Sequence, residues 1–219
     1  YCSYYKRQRE KHRQLPKLNK PNKPNKHNKL NKGGVKMAKS KTKIKFTYED
    51  YKNLPESETR RYELLEGELI MVPSPNFEHR RISGNLEFTL RGFVQEKNLG
   101  IVIDAPFDVH LGRDVIQPDI LFISKERSGI ITEEEVQGAP DLVIEILSPA
   151  TAERDRTYKR TLCARYGVKE HWLVDPEIKR VEVLVLTERG FEAAGIYGKT
   201  EVLTSPLLPG LSIDLRKIF

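Results

Sequence analysis

The hydrophobic positions of this chain change period several times between residues 45 and 190. From His79 to about Glu96, Ile82, Leu86, Leu90 and Phe93-Val94 recur at three-to-four spacing, the period of an amphipathic helix, and Asn98-Leu99-Gly100 stops it. Arg61–Leu65 and Glu68–Val72 flank Glu66-Gly67, which reads as a tight hairpin ended by Pro73-Ser74-Pro75. Upstream, Thr47-Tyr48-Glu49-Asp50 has the form of a helix start, and Pro55 limits that helix to about Leu54. Downstream, the pattern predicts strands over 101–107, 109–111 and 115–123, with a turn at Gly112-Arg113-Asp114. It then predicts a short acidic helix near 132–136, a strand over 141–147, and a long helix from about Ala152 to Tyr166 capped by Gly167. Strands follow at 170–174 and 180–186, with weaker signals near 191–197 and 201–203. Helices alternate with runs of strands, which gives a mixed α/β or α+β domain.

Two of the strand-like runs carry a carboxylate where an apolar residue is expected. Asp119 shares its strand face with Leu121 and Ile123, and Glu145 sits between Val143 and Leu147. A lone carboxylate on an apolar face is costly to bury unless a cation or strong donors satisfy it. The pair therefore points to a metal-binding acidic site; the alternative is that one or both lie at strand ends in contact with water. Lys159, on the helix after the Glu145 strand, is placed to reach either a metal-bound water or a scissile phosphate. From spacing alone, Lys159 and Asp155 read as a solvated ion pair on one helix face, worth under ~1 kcal/mol.

Charge changes the picture less than the totals imply. The net charge is +7, but residues 1–36 hold twelve Lys and Arg against Glu10 alone, a contribution of +11 that leaves −4 for residues 37–219. The basic balance belongs to the Asn-Lys-rich repeat of that segment, which reads as a disordered low-complexity tail. It is either a non-specific DNA-binding arm or sequence upstream of a true start at Met37. The mildly acidic remainder removes global charge as an argument for nucleic acid. Two cysteines, Cys2 and Cys163, form no metal or disulfide pattern. No apolar run approaches a membrane span, so a soluble cytoplasmic protein is expected.

One set of motifs is far more specific. Tyr62-Glu63-Leu64, Gly67-Glu68-Leu69, His79, Pro118-Asp119, Pro140-Asp141-Leu142-Val143-Ile144-Glu145-Ile146-Leu147-Ser148-Pro149, Asp155, Lys159 and Gly167-Val168-Lys169-Glu170-His171-Trp172-Leu173-Val174-Asp175-Pro176 resemble the Uma2 family over roughly residues 45–190. These are endonucleases of PD-(D/E)xK type, abundant in cyanobacteria. The resemblance implies that residues 37–219 form a restriction-endonuclease-like domain, a central mixed sheet flanked by helices. It implies Asp119 and Glu145 as ligands of Mg²⁺ (or Mn²⁺), Lys159 as a migrated catalytic lysine, and DNA as the substrate. Leu147 stands where the parent signature has lysine. Glu63 and Glu68 both match; the semi-buried setting of Glu63 favours it as the member completing the acidic cluster. His79 either contacts water or phosphate at a helix N-terminus or caps and packs. Trp172 and Tyr166 read as core, Asp175 as a turn residue and Cys163 as a small buried side chain. A homodimer is expected by analogy with nucleases that cut both strands. The alternative function is a binding module that keeps the nuclease fold without turnover.

Overall fold

The structure is a computed structural model that describes residues 44–55 and 61–219. The expected tail 1–36 and the start at Met37 lie outside the described residues. Thr47 opens the short helix α1 (Tyr48–Lys52) through a capping box with Asp50. The hairpin of β1 (Arg61–Leu65) and β2 (Glu68–Val72) turns on Glu66 and Gly67, both at positive φ (50° and 76°), as a two-residue turn of this hand requires. Helix α2 (Phe77–Glu96) starts two residues before His79, because the Asn76 side chain accepts from the His79 N–H and caps it there.

Next come β3 (Gly100–Asp104), β4 (Asp108–Leu111), β5 (Asp114–Ile116) and β6 (Ile120–Ser124). The strand expected over 115–123 is thus two strands in two different sheets. Pro118 cannot donate to a ladder, and the Gln117 N–H donates to the Glu63 carboxylate instead. Asp119 consequently lies in the bend just before β6, not within a strand. The acidic helix expected near 132–136 is also absent. The Thr132 hydroxyl accepts from the N–H groups of Glu134 and Glu135, turning the chain into β7 (Glu135–Gln137), while a 3₁₀ helix occupies Lys125–Ile130.

After β8 (Leu142–Ile146), the expected long helix forms in three pieces: α3 (Ala152–Arg154), a π-helical turn (Asp155–Lys159) and α4 (Arg160–Tyr166). Gly167 ends it at φ 84°. The strands β9 (Glu170–Asp175), β10 (Arg180–Thr187), β11 (Gly190–Gly198), β12 (Val202–Thr204) and β13 (Ser212–Asp214) complete the described chain.

The central mixed sheet has six strands in the order β11-β10-β9-β8-β6-β3, antiparallel except for the parallel β8–β9 pair. On one of its faces Ile82, Leu86, Leu90 and Val94 of α2 pack on Ile120, Phe122, Leu142, Ile144 and Trp172. Each such burial is worth about 2 kcal/mol of transfer free energy. The opposite face, carrying Leu121, Ile123, Val143 and Leu173, packs against α4 and against a second, five-stranded sheet of order β2-β1-β5-β4-β7. Trp172 is fully buried, Cys163 is buried, and Asp175 accepts from the N–H groups of Glu177 and Ile178 in its turn. Tyr166 departs from expectation: it is exposed and rests on Gly112, where a Cβ would overlap its hydroxyl. No helix among the described residues is long and apolar enough to cross a membrane.

His171 is the least expected core residue. It is fully buried, neither ring nitrogen has a hydrogen-bond partner, and it meets Phe191 edge-on at 5.5 Å. Burial, with Lys159 and Arg160 nearby, pushes its pKa down to about 3. The native state then binds fewer protons than the unfolded chain between the ordinary value of about 6.5 and about 3, so stability falls as the pH drops through that window. The loss integrates to about 5 kcal/mol. We expect His171→Leu to flatten the acid limb of stability measured by urea unfolding; an unchanged limb would contradict this.

Candidate active site

Register builds the floor of the site. β6 and β8 pair antiparallel with Ile120 opposite Ile144 and Leu121 opposite Val143, so one further step sets Asp119 opposite Glu145. Asp119 Oδ2 accepts from the Ile146 N–H at 2.8 Å and lies 3.2 Å from His79 Nε2 at the start of α2. Glu145 is buried among carboxylates. The two acids therefore differ in setting: Asp119 keeps a side-chain exposure of 20%, whereas Glu145 keeps 4%.

Glu63 arrives from β1 of the other sheet. Its Oε1 accepts from the Gln117 N–H at 3.0 Å, so the same crossing segment that carries Asp119 also anchors Glu63. Glu68, its hairpin neighbour, points elsewhere, with Lys45 Nζ at 3.9 Å. Of the two glutamates it is Glu63 that joins the cluster.

The roof is the interrupted helix. Ser148-Pro149 ends β8, and the Ser148 carbonyl accepts from the N–H groups of Thr151 and Ala152, folding the helix back over the strand end. The π turn then presents Asp155 and Lys159 inward, and both are buried. The solvated ion pair expected from spacing is therefore wrong: tertiary packing covers that helix face. Lys159 Nζ lies 2.7 Å from Glu63 Oε1, 3.0 Å from Glu145 Oε1 and 3.4 Å from Asp155 Oδ1. Leu147, at the position of the parent signature's lysine, is packed into the core.

Burial governs the electrostatics. It raises Glu145 well above the ordinary carboxylate range; Lys159 pulls the other way, while Asp155, Asp119 and Glu63 add to the rise. Asp155 is raised for the same leading reason. Burial disfavours the Lys159 ammonium, but Glu145, Glu63 and Asp155 more than offset it and hold its pKa well above the ordinary lysine value.

These residues line one cleft of about 470 Å³. All five residues expected at the site (Glu63, His79, Asp119, Glu145 and Lys159) border it, as do Asp155, Gln117, Arg61 and Arg154. Gln117 and Arg154 have no outward mark in the sequence beyond adjacency to Pro118-Asp119 and to Asp155. Among the described residues, no three His, Cys, Asp or Glu side chains converge at metal-ligand spacing.

The model of the Uma2 family, described as "Putative restriction endonuclease", matches residues 48–216, which span both sheets and the whole cleft. This chain belongs to the Uma2 family. Within reach of the same sequence is "Uncharacterized protein sll1609" of Synechocystis, 26% identical over 151 residues that make up 67% of this chain and 83% of that one. The crystal structure of "a putative nuclease belonging to DUF820" from Anabaena variabilis matches with a TM-score of 0.68 at 23% identity, covering 80% of this chain and 97% of that chain. The likeness to that structure is one of fold. The Uma2 motifs of the sequence thus fall on the two strands, the crossing segment and the helix that enclose the cleft.

Proposed function

We propose that this chain is a metal-dependent endonuclease that hydrolyses phosphodiester bonds in DNA, with Mg²⁺ (or Mn²⁺) held by Asp119 and Glu145. The observation that carries the reading is the in-register pair Asp119 and Glu145 with Lys159 Nζ 3.0 Å from the latter, at the floor of an open cleft. Membership of a family described as "Putative restriction endonuclease" supports it.

The donor chemistry fits the ion. Glu63, Asp119, Glu145 and Asp155 face Lys159 and Arg154, with Arg61 also on the cleft wall, so carboxyl groups outnumber basic side chains there. Hard carboxylate oxygens with that excess suit a divalent cation such as Mg²⁺. The Oε2 of Glu63 and Oδ1 of Asp155 are buried without hydrogen-bond partners, with Arg154 and Lys159 no nearer than 3.6 and 3.4 Å, so both keep acceptor capacity for a bound cation. When bound, Mg²⁺ supplies polarisation of a phosphoryl oxygen and a water of lowered pKa.

The chain's own residues do the rest. Lys159 stays protonated and faces charge that develops on the phosphoryl oxygens. Glu63 and Asp155 hold that ammonium in place. His79, from the N-terminus of α2, orients Asp119 and can carry a proton at Nε2. The crossing at Gln117-Pro118-Asp119 couples the two sheets, so Glu63 and Asp119 are positioned together.

One observation favours the alternative of a nuclease fold without turnover: the Lys159 ammonium already sits against three carboxylates, where it acts as their counter-ion. Supercoiled-plasmid nicking decides between the readings. We expect the parent to nick with Mn²⁺ or Mg²⁺ and to stop in EDTA, and we expect Glu145→Ala and Lys159→Ala to be inactive. Nicking that survives in Glu145→Ala, or none by the parent with either metal, would sink the endonuclease reading.

A further inference from the structure

We propose that Arg154 and Arg61 form an oxyanion clamp in this cleft, built to take a phosphate group and hold it beside the carboxylates. The inference deepens the endonuclease reading by naming the residues that bind the substrate's phosphate, and it rests on that reading only for the identity of the substrate.

The argument starts from what arginines elsewhere in the chain do. Arg81 donates to Glu78 and to the Ile218 carbonyl, Arg127 to Asp141 and the Ala139 carbonyl, Arg156 to Asp175 and Glu182, and Arg160 to the Phe191 carbonyl. Half-buried guanidinium groups in this protein are tied to acceptors within it. Arg154 and Arg61 are half-buried too, yet neither guanidinium donates a hydrogen bond to the described residues. Both border the same cleft.

Arg154 is the sharper case. Its side chain is only 20% exposed, and its Nε is buried with no hydrogen-bond partner. Its nearest anion, Glu63 Oε2, is 3.6 Å from Nη2, well beyond the 2.7–2.9 Å of a charge-assisted hydrogen bond. Glu63 Oε2 is itself without a hydrogen-bond partner. Were Arg154 present only to neutralise Glu63, the two groups would close on each other. The guanidinium is instead held near the carboxylates with its donors uncommitted. A planar fork of N–H donors matches the oxygens of a phosphate.

The setting explains why such a clamp is needed. A polyanionic substrate that approaches four carboxylates is repelled unless cations on the wall receive it. Lys159 is engaged by three of those carboxylates. Arg154 and Arg61 are the cleft-lining cations left to meet the incoming anion. Helix α2 opens at the same cleft through Asn76 and His79, adding the positive end of a 20-residue helix; its first-turn Glu78 is engaged by Arg81.

Calorimetric titration of the full chain with pyrophosphate in EDTA tests the clamp directly, with Arg154→Gln, Arg61→Gln and Arg154→Lys beside the parent. The parent is expected to bind, each Gln variant to bind about 10-fold more weakly, and Arg154→Lys to recover part of the loss, since it keeps the charge but not the fork. No binding by the parent, or equal binding by all four proteins, overturns the proposal. If circular dichroism shows Arg154→Gln to be unfolded, Arg61→Gln, at the first residue of β1, carries the same test. Plasmid nicking by the parent separates the two ideas. Nicking without pyrophosphate binding removes the clamp alone, whereas pyrophosphate binding that depends on both arginines without nicking leaves the clamp and removes the hydrolase.

Discussion

Lys159→Met is expected to lose about 3–5 kcal/mol of folding stability at neutral pH, because removing one partner of a buried ion cluster strands the others without compensation. Three buried or nearly buried carboxylates, Glu63, Glu145 and Asp155, lie within 3.4 Å of the ammonium in the parent. The deficit depends on pH in a definite direction. Glu145 and Asp155 have folded-state pKa values raised chiefly by burial. A carboxyl so raised contributes stability that is fully present below its unfolded pKa, near 4, and lost as pH rises through the folded value. Removing the lysine raises them further, so the gap between variant and parent narrows as the solution is acidified toward pH 4. Lys159 leaves a limb of the same direction in the parent, at far higher pH. Its raised pKa gives stability that is present below about 10.5 and lost as pH climbs through the folded value, an alkaline limb that Lys159→Met lacks. Urea unfolding of both proteins from pH 4 to pH 8 checks the carboxylate limb, and its extension above about pH 10.5 checks the lysine limb. Equal stability at pH 7 would mean that the cluster is not charged as described.

Glu145→Gln should separate stability from activity. It removes one of four clustered carboxylates while leaving an amide oxygen able to accept from Lys159, so like-charge repulsion with Asp155, Asp119 and Glu63 is relieved. We expect a gain of about 1–2 kcal/mol at pH 7, in the range of stabilising changes at sites strained for function. In the same protein, nicking is expected to fall to the level seen in EDTA, because one of the two proposed metal ligands is gone. A variant that nicks like the parent would remove Glu145 from the metal site. A variant less stable than the parent would show that the glutamate's pairing with Lys159 outweighs the repulsion.

The two results bear on the same economy of charge. The cluster is held by a lysine that arrives from the helix, not from the strand, and this works because a lysine stem is long enough to bring its ammonium from one layer to another. The interrupted helix is what aims it: a π turn occupies Asp155–Lys159, the segment that carries both charged residues. Such turns are rare and recur at functional sites.

Much of this architecture was legible in the chain itself. Three-to-four spacing of Ile82, Leu86, Leu90 and Val94 determined α2 and its buried face, and Glu66-Gly67 determined the hairpin. The motif around Pro118-Asp119, Glu145 and Lys159 determined the family and named the residues that now line one cleft. Those signals are local, because periodicity and turn chemistry report how one segment exposes its own faces. What only the tertiary structure decided is which faces meet. The break of 115–123 into β5 and β6 depends on Glu63, 54 residues away, accepting from Gln117. The burial of Asp155 and Lys159, which spacing alone reads as a solvated pair, follows from the helix folding back over β8. That the guanidinium groups of Arg154 and Arg61 donate no hydrogen bond among the described residues, unlike those of Arg127 and Arg156, is likewise a matter of packing. In each case the cause is the desolvation of a charged group by a distant segment, a cost that depends on the packed neighbours and leaves no periodic mark in the sequence.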